Sequence, residues 1–421
     1  MSGALRSCAL VLAAATAAHT ADPDVQELFQ KARDKVLDNA RRMPRYTCVE
    51  TISRTQYHPP ETPQSCGYLL SSRQANIRGK LAMRDRLRLD VAVIDGGEIF
   101  SWAGAGKFET HDVDKLVGGG ASGSGDFGSF LSGVFGSAPD AIRYLGLRNS
   151  LAQFEYNVPV GRSNYRFRGA AGPGRIIGYR GTFSVDPADA DVQQLAVDSD
   201  QFTPADDVCR VQHVMRYTRV KIGNGDFTLP EVSTMDAIYR DGAESMNDTR
   251  YSECREYVGE STIRFDDADP RVGPAAAKAA SQPLPPKVHL LIGLSKPIDT
   301  SVAAAGDAVE GVLLSDVGDR RTGTVARIDD RVHGRILRLQ QSLDSPPRWF
   351  VTIRFDRIER NGVEQPIALR PIDDGDRTSQ RTRGLILQGG LERPEGAGLF
   401  IFDGFGNIVL DRNFHSEWET R

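Results

Sequence analysis

One stretch constrains the fold of this 421-residue chain more than any other. Between residues 175 and 265, apolar and polar residues alternate in runs that are separated by turn signals. The predicted strands span 175–185, 192–197, 208–222, 226–240 and 244–265. Asn224 with its flanking glycines, and the pair Asp241-Gly242, supply the positive φ of tight hairpin turns. The stretch therefore predicts a wide antiparallel sheet and a mainly β fold.

The alternation also predicts which face of this sheet is apolar. On the fourth and fifth strands, the residues that share it are Phe227, Leu229, Met235, Ala237 and Tyr239, followed by Tyr251, Tyr257, Ile263 and Phe265. An apolar face must be covered, and the pattern predicts an amphipathic helix over residues 22–43. Its apolar residues recur at 3.6-residue spacing from Val25 to Ala40, and Pro44 ends it. We expect this helix to lie on the sheet.

A change of composition divides the chain, whose 421 residues exceed the size of one ordinary core. Residues 266–287 are rich in Ala and Pro and predict a linker. Before it, residues 22–265 form a predicted domain of helix and antiparallel sheet, with further strands at 46–57, 81–93 and 98–102. After it, short strands predict a smaller all-β domain over 288–421, a barrel or a sandwich, with a polar loop at 373–383.

The first 21 residues have the pattern of a cleavable signal peptide. Arg6 gives a positive start, an apolar run follows over residues 8–18, and small residues offer cleavage after Ala17 or Ala21. The alternative is an ordinary N-terminal helix. The run is too short to span a bilayer, and no later run has the length of a transmembrane helix. We expect a periplasmic or secreted protein without a transmembrane segment.

Export makes disulfides the expected state of the remaining cysteines, Cys48, Cys66, Cys209 and Cys254. Zinc binding by these dispersed thiols is the alternative. Four cysteines allow three pairings, and closeness in sequence favours Cys48–Cys66 and Cys209–Cys254. A simple meander places one strand between the second two cysteines. This argues against their bridge, because the Cα atoms of a disulfide lie within about 7 Å of each other.

The candidate ligand-binding residues follow a glycine-rich loop at 118–125. Asp126 stands where it would cap a short helix. The apolar stripe of this helix, at spacing i, i+3, i+4, i+7 and i+8, consists of Phe127, Phe130, Leu131, Val134 and Phe135. One hypothesis is a small helix that closes one end of the core. The other is a mobile flap over an apolar cavity, with the flanking glycines as its hinge.

No motif in the sequence supports a catalytic assignment. The net charge of −4 argues against nucleic acid as a partner. The histidines after the signal are isolated, and neither H-E-x-x-H nor G-x-S-x-G occurs. The acidic turn with Asp186, Asp189 and Asp191 lacks the glycine and the distal glutamate of a calcium loop. We therefore expect no enzyme activity, no metal and no cofactor.

Five stretches resemble a family of uncharacterised exported bacterial proteins with the same two-domain layout. They are YTCVETI at 46–52, RLDVAV at 88–93, FGSFL at 127–131, VDP at 185–187 and CREYVGES at 254–261. The leading helix and the strand–Asp-Pro–strand hairpin are similar to the outer-membrane lipoprotein carrier group, LolA-like and RseB-like. That resemblance implies a half-open barrel, which in the carrier group holds acyl chains or lipoproteins against an apolar concave face. The C-terminal region resembles small β-domains of cell-envelope assembly proteins.

Two functions are consistent with these features. In the first, the half-open barrel of an exported, non-enzymatic envelope protein binds a lipid, a lipoprotein or another apolar ligand. In the second, the protein is a structural or assembly component of the envelope. Its core is then filled by its own side chains, and its C-terminal domain binds protein partners. An open concave face lined by apolar residues would support the first function, and a filled face would support the second.

Overall fold

The computed structural model describes residues 24–94, 97–117, 123, 125–137, 141–168, 174–199, 201–257, 283–319, 323–372 and 394–421. Several predicted segments lie wholly or mainly outside these ranges. They are the signal peptide at 1–21, the loop at 118–125, the linker at 266–287 and the polar loop at 373–383. Within the described ranges, no helix is long and apolar enough to cross a membrane.

The leading helix, α1 (Val25–Arg42), confirms the predicted amphipathic helix. Asp24 is the N-cap of this helix, because its carboxylate accepts hydrogen bonds from the backbone N–H groups of Gln26 and Glu27. Its buried residues, Leu28, Ala32 and Val36, are four residues apart and form one stripe against the sheet. The other α-helices in the described residues are α2 (Cys66–Gln74), α3 (Asp114–Val117) and α4 (Ser129–Ser132), which continues into a π-helical turn (Gly133–Ser137).

The strands before residue 258 are mostly long. They are β1 (Tyr46–Tyr57), β2 (Leu81–Ile94), β3 (Gly97–Trp102), β4 (Ile142–Arg148), β5 (Leu151–Val158), β6 (Arg166–Phe167), β7 (Arg175–Ile176), β8 (Tyr179–Val185), β9 (Val192–Ser199), β10 (Val208–Ile222), β11 (Gly225–Tyr239) and β12 (Glu244–Glu256). Three of the predicted meander strands, 192–197, 208–222 and 226–240, match β9, β10 and β11 to within two residues at each end.

All of these strands except β6 and β7 form one antiparallel sheet in the order β4–β5–β8–β9–β10–β11–β12–β1–β2–β3. Strands β6 and β7 pair with each other in a separate two-stranded sheet. Strands β3 and β4 lie at the two ends of the larger sheet and do not pair with each other in the described part of the chain. The sheet is therefore open on one side, as the predicted half-open barrel requires. Helix α1 and α4 lie on its concave face, where they pack against residues of β5, β8, β9 and β10.

The strands after residue 282 confirm an all-β C-terminal part. They are β13 (His289–Leu294), β14 (Ile298–Asp299), β15 (Ala308–Leu313), β16 (Val317–Asp319), β17 (Gly323–Ala326), β18 (Arg331–Ser342), β19 (Arg348–Arg360), β20 (Val363–Pro366), β21 (Leu369–Pro371), β22 (Gly398–Asp403), β23 (Val409–Leu410) and β24 (His415–Thr420). Neighbouring strands pair in the order β13–β15–β18–β19–β20. Strand β21, the next in sequence after β20, pairs with β24, and β24 pairs with β13. Trp418 is fully buried at the centre of this part.

The C-terminal part is joined to the edge of the first sheet. Residues Gln340 to Ser342 of β18 pair with β2, beside the part of β2 that pairs with β3. The Arg84 side chain of β2 reinforces this contact, because its Nε donates a hydrogen bond to Gln341 at 2.8 Å. The domain boundaries stay a prediction, but the two parts share a hydrogen-bonded ladder.

Both disulfides differ from the predicted pairing. All four cysteines are bridged, but the bridges are Cys48–Cys254 and Cys66–Cys209, so the pairing Cys48–Cys66 and Cys209–Cys254 is wrong. The reason is the strand order, since β12 returns to lie beside β1 and brings Cys254 opposite Cys48. This ladder contains a bulge, in which Glu253 takes a φ of +52°. The bulge shifts the pairing register by one residue, and this shift aligns Cys48 with Cys254.

Candidate functional site

A cavity of about 470 Å³ lies between helix α1, residues 127–132, which include α4, and the concave face of the sheet. Its apolar lining consists of Val36, Ala40, Met43, Pro44, Tyr46, Val93, Phe127, Leu131, Ala190, Val192, Tyr217 and Pro230. Its polar lining consists of Lys35, Asn39, Arg41, Arg45, Ser129, Ser132, Asn164, Asp191 and Thr228. The volume falls within the range of about 300–1,000 Å³ that is usual for small-molecule sites.

Helix α1 is fixed against the sheet beside this cavity. The Asn39 side chain donates a hydrogen bond to the Thr228 carbonyl at 3.2 Å and accepts one from the Thr228 N–H at 2.9 Å. This pair connects the second half of α1 to β11 without filling the space between the helix and the sheet. The helix therefore acts as a fixed wall of the cavity.

Charged residues at the cavity are mainly cationic. Lys35, Arg41 and Arg45 line it, and Asp191 is the only carboxylate in the described lining. Asp191 is bound by Lys35 at 2.9 Å and by Arg219 at 2.6 Å. Burial disfavours its ionised form, but the hydrogen bonds from Arg219 and Lys35 outweigh that effect and lower the pKa of Asp191. The site therefore combines an apolar wall with net positive charge.

The five predicted ligand-binding residues do not form one surface. Phe127 and Leu131 line the cavity, whereas Phe130, Val134 and Phe135 are buried beside it. Phe127 is only partly buried, and its ring lies edge-on to Tyr46 and Tyr251. The predicted stripe is therefore divided between a cavity wall and the core.

The core part of this stripe is closely packed. The Phe135 ring lies 4.9 Å from the Phe183 ring, and the Phe130 ring lies 5.6 Å from the Tyr179 ring. A side chain at Gly133 would place its Cβ 2.3 Å from the Tyr179 hydroxyl, so this contact requires glycine. These residues fit the first hypothesis, a short helix that closes one end of the core.

A polar cluster lies on the other side of Phe127. The Tyr251 hydroxyl donates a hydrogen bond to the Asp126 carboxylate at 2.6 Å, and His213 Nδ1 lies 4.0 Å from the same group. Helix α4 has Gly128 at its N-cap, so the predicted N-cap role of Asp126 is wrong.

The cluster borders a second cavity of about 30 Å³, lined by Glu50, Ile52, Arg54, Leu87, Val113, Gly123, Asp126, His213, Ser233, Met235, Asn247 and Thr249. That volume holds about one water molecule.

Two further carboxyl groups belong to this cluster. The Glu98 carboxyl accepts the Gly125 N–H at 3.0 Å. Burial, and after it the charge of Asp126, raise the pKa of Glu98 to about 7 although backbone N–H groups lower it. Burial and the charges of Asp126 and Glu98 raise the pKa of Glu50 well above its ordinary value. Burial also lowers the pKa of His213, against the effect of Asp126. The cluster therefore favours neutral side chains.

Sequence reasoning missed this cluster. Glu50 had a visible signal, since it occupies an inward position of β1 between the buried residues Cys48 and Ile52. A charged residue at a core position is a reason to look for a site. Glu98, Asp126 and His213 had no such signal, because strand pairing and the conformation of residues 125–128 bring them together.

Comparisons with known proteins do not place the chain in a family. No family model matches it, and no curated protein matches it. Among solved structures, it is similar to a LolA superfamily protein from Nitrosomonas europaea, with 11% sequence identity and a TM-score of 0.25. The alignment covers 55% of this chain and 93% of that one.

Proposed function

We propose that the protein binds an apolar or amphipathic molecule, such as the acyl chain of a lipid or lipoprotein, in the cavity beneath α1. The observation that supports this most strongly is the cavity of about 470 Å³ itself, because a self-filled core would leave no such space. In this proposal the protein is a non-enzymatic binding protein of the cell envelope.

The chemistry of the lining indicates what kind of molecule fits. Val36, Leu131 and Val192 offer aliphatic surface for a hydrocarbon chain, whose burial stabilises a complex by about 0.8 kcal/mol for each methylene group. Arg41 and Arg45 at the same cavity favour an anionic group at the end of that chain. An amphipathic anion with one acyl chain meets both conditions.

The location of the protein is part of the proposal. Two disulfides are typical of a protein that folds in an oxidising compartment. Together with the apolar run at residues 8–18, they support export to the periplasm or beyond. Lipids and lipoproteins are present in that compartment as ligands.

Filling the cavity is expected to weaken binding. Ser132 lines it and is only partly buried, so Ser132→Trp places an indole where the ligand would lie. We expect the affinity for an apolar fluorescent probe, N-phenyl-1-naphthylamine, to fall about tenfold or more, which equals the loss of roughly two buried methylene groups. Fluorescence titration of the mature protein measures this.

The matched control is Ser71→Trp, the same substitution at an exposed position of α2 away from the cavity. It should leave probe affinity within about twofold of the wild type, a change of less than 0.5 kcal/mol. Equal affinity in the Ser132 and Ser71 variants would show that the probe does not enter this cavity and would refute the proposal.

A second candidate function is supported by one observation. Three of the predicted ligand-binding residues, Phe130, Val134 and Phe135, are packed in the core, and the C-terminal strands extend the edge of the sheet. Both features are expected of a scaffold that binds protein partners. A scaffold would show no saturable probe binding in the titration above.

A further inference from the structure

The N-terminal end of the 125–132 segment, which covers one side of the cavity, is held to the sheet by carboxyl groups. Glu98 of β3 accepts the Gly125 N–H, and Asp126 accepts the Tyr251 hydroxyl of β12. Gly125 and Gly128 take φ values of +110° and +130°, which favour glycine. The π-helical turn that follows the segment is held differently, because Arg33 of α1 donates a hydrogen bond to the Phe135 carbonyl.

We propose that the carboxyl groups of Glu98 and Asp126 form a proton-controlled latch, which keeps residues 125–129 closed over the cavity while Glu98 is protonated and releases them as Glu98 ionises. This proposal concerns the regulation of the cavity and rests on the proposed function. The deeper residues Val134 and Phe135 are fully buried, so they stay in place when the latch opens.

The latch depends on how charges are distributed over several elements. The charge of Asp126, on the segment, acts on Glu98, and the charge of Glu98 acts on Tyr46 of β1. The charges of Asp126 and Glu98 act on Glu50, and the charge of Glu50 acts on Tyr251. Other titratable groups are close by: His213 Nδ1 lies 4.0 Å from Asp126, the ring of His111 contacts the Glu98 carbonyl oxygen, and Arg54 forms a buried ion pair with Asp85. Burial, and after it the charge of Asp126, raise the pKa of Tyr165 and of Tyr217.

This arrangement disfavours a second negative charge. With Glu50 and Glu98 neutral, Asp126 is the single charge of the latch, and the Tyr251 hydroxyl donates to it. Ionisation of Glu98 puts a like charge beside Asp126 in a buried site, which raises the free energy of the closed form. Because Asp126 lies on the segment and Glu98 lies on β3, outward movement of the segment separates and hydrates the two charges.

The direction of the pH effect follows from proton binding. In the closed form the pKa of Glu98 is raised from 4.5 to about 7, so the closed form binds more protons than an open, hydrated one. Closure is therefore strongest below pH 4.5 and is lost as the pH rises through about 7. For Glu98 alone, linkage gives a roughly 30-fold increase of the opening equilibrium constant between about pH 5.5 and 8.5.

Hydrogen exchange of the ligand-free, mature protein tests the latch. After correction for the intrinsic exchange rates, we expect protection of amides 125–129 to fall roughly 30-fold over that pH range. In Glu98→Gln, which keeps an oxygen to accept the Gly125 N–H but cannot ionise, protection should change less than about threefold. Glu109→Gln, at an exposed site of the chain after β3, should behave like the wild type.

The same pH dependence in Glu98→Gln as in the wild type would overturn the latch, and so would protection in the wild type that does not change with pH. If Glu98→Gln does not fold, Asp126→Asn serves instead. Loss of that charge should move the midpoint of the transition to lower pH, and an unchanged midpoint would also overturn the proposal. Because no ligand is used, a negative result here leaves the proposed function standing, and failure of the probe titration does not affect the exchange experiment.

Discussion

Replacement of Phe130 and Phe135 together by alanine is expected to lower the free energy of unfolding by about 3–5 kcal/mol for each ring. Both rings are buried, at 3% and 0% exposure, among aromatic residues of the sheet. The sum approaches the whole stability of an ordinary domain, which is about 5–15 kcal/mol. Urea denaturation of the double variant and of each single variant measures the loss.

Phe127→Ala is the matched control, because Phe127 belongs to the same predicted stripe but lines the cavity and is only partly buried. It should cost less stability than either core variant and should change probe binding more. A loss below about 1 kcal/mol for the double variant would contradict the core assignment. Such a small loss would favour the hypothesis that Phe130 and Phe135 belong to a mobile flap.

Removal of the disulfides is the second large effect. The double variants Cys48→Ala/Cys254→Ala and Cys66→Ala/Cys209→Ala are each expected to lose about 2–5 kcal/mol. The bridges join residues 206 and 143 positions apart, so each restricts the unfolded chain over a long loop. Thermal melting under non-reducing conditions measures the loss, and the wild type with reductant provides a reference for both bridges together.

Peptide mapping without reduction checks the pairing independently of stability. We expect linked peptides that contain Cys48 with Cys254 and Cys66 with Cys209, and no free thiol in the mature, denatured protein. Recovery of a Cys48–Cys66 peptide would contradict the strand order, because it requires Cys48 to face α2 instead of β12.

Local patterns predicted much of the fold. Alternation and turn residues located β9, β10 and β11, and 3.6-residue spacing located α1, because these signals are formed by neighbours in sequence. The hairpin of β4 and β5 was not predicted, although Asn149 and Ser150 form its turn with φ values of +51° and +65°. An Asn at the first position of a two-residue turn is a usable hairpin signal.

Long-range pairing explains what the sequence did not predict. Cys48 lies beside Cys254 because β1 pairs with β12, and closeness in sequence is a poor guide when the first strand of a sheet pairs with a late one. Glu50, Glu98 and Asp126 come together for the same reason, since they lie on β1, β3 and the segment before α4. Only the inward position of Glu50 could have been read from the pattern of its own strand.

Mass spectrometry of molecules that co-purify with the full chain, expressed for export to a bacterial periplasm, tests ligand binding in the cavity most directly. Native spectra and lipid extracts of wild type, Ser132→Trp and Ser71→Trp should be compared. We predict a molecule with an acyl chain, near one per protein, in the wild type and in Ser71→Trp, and a much smaller amount in Ser132→Trp. Equal amounts in all three proteins, or none in the wild type, would contradict a ligand site beneath α1.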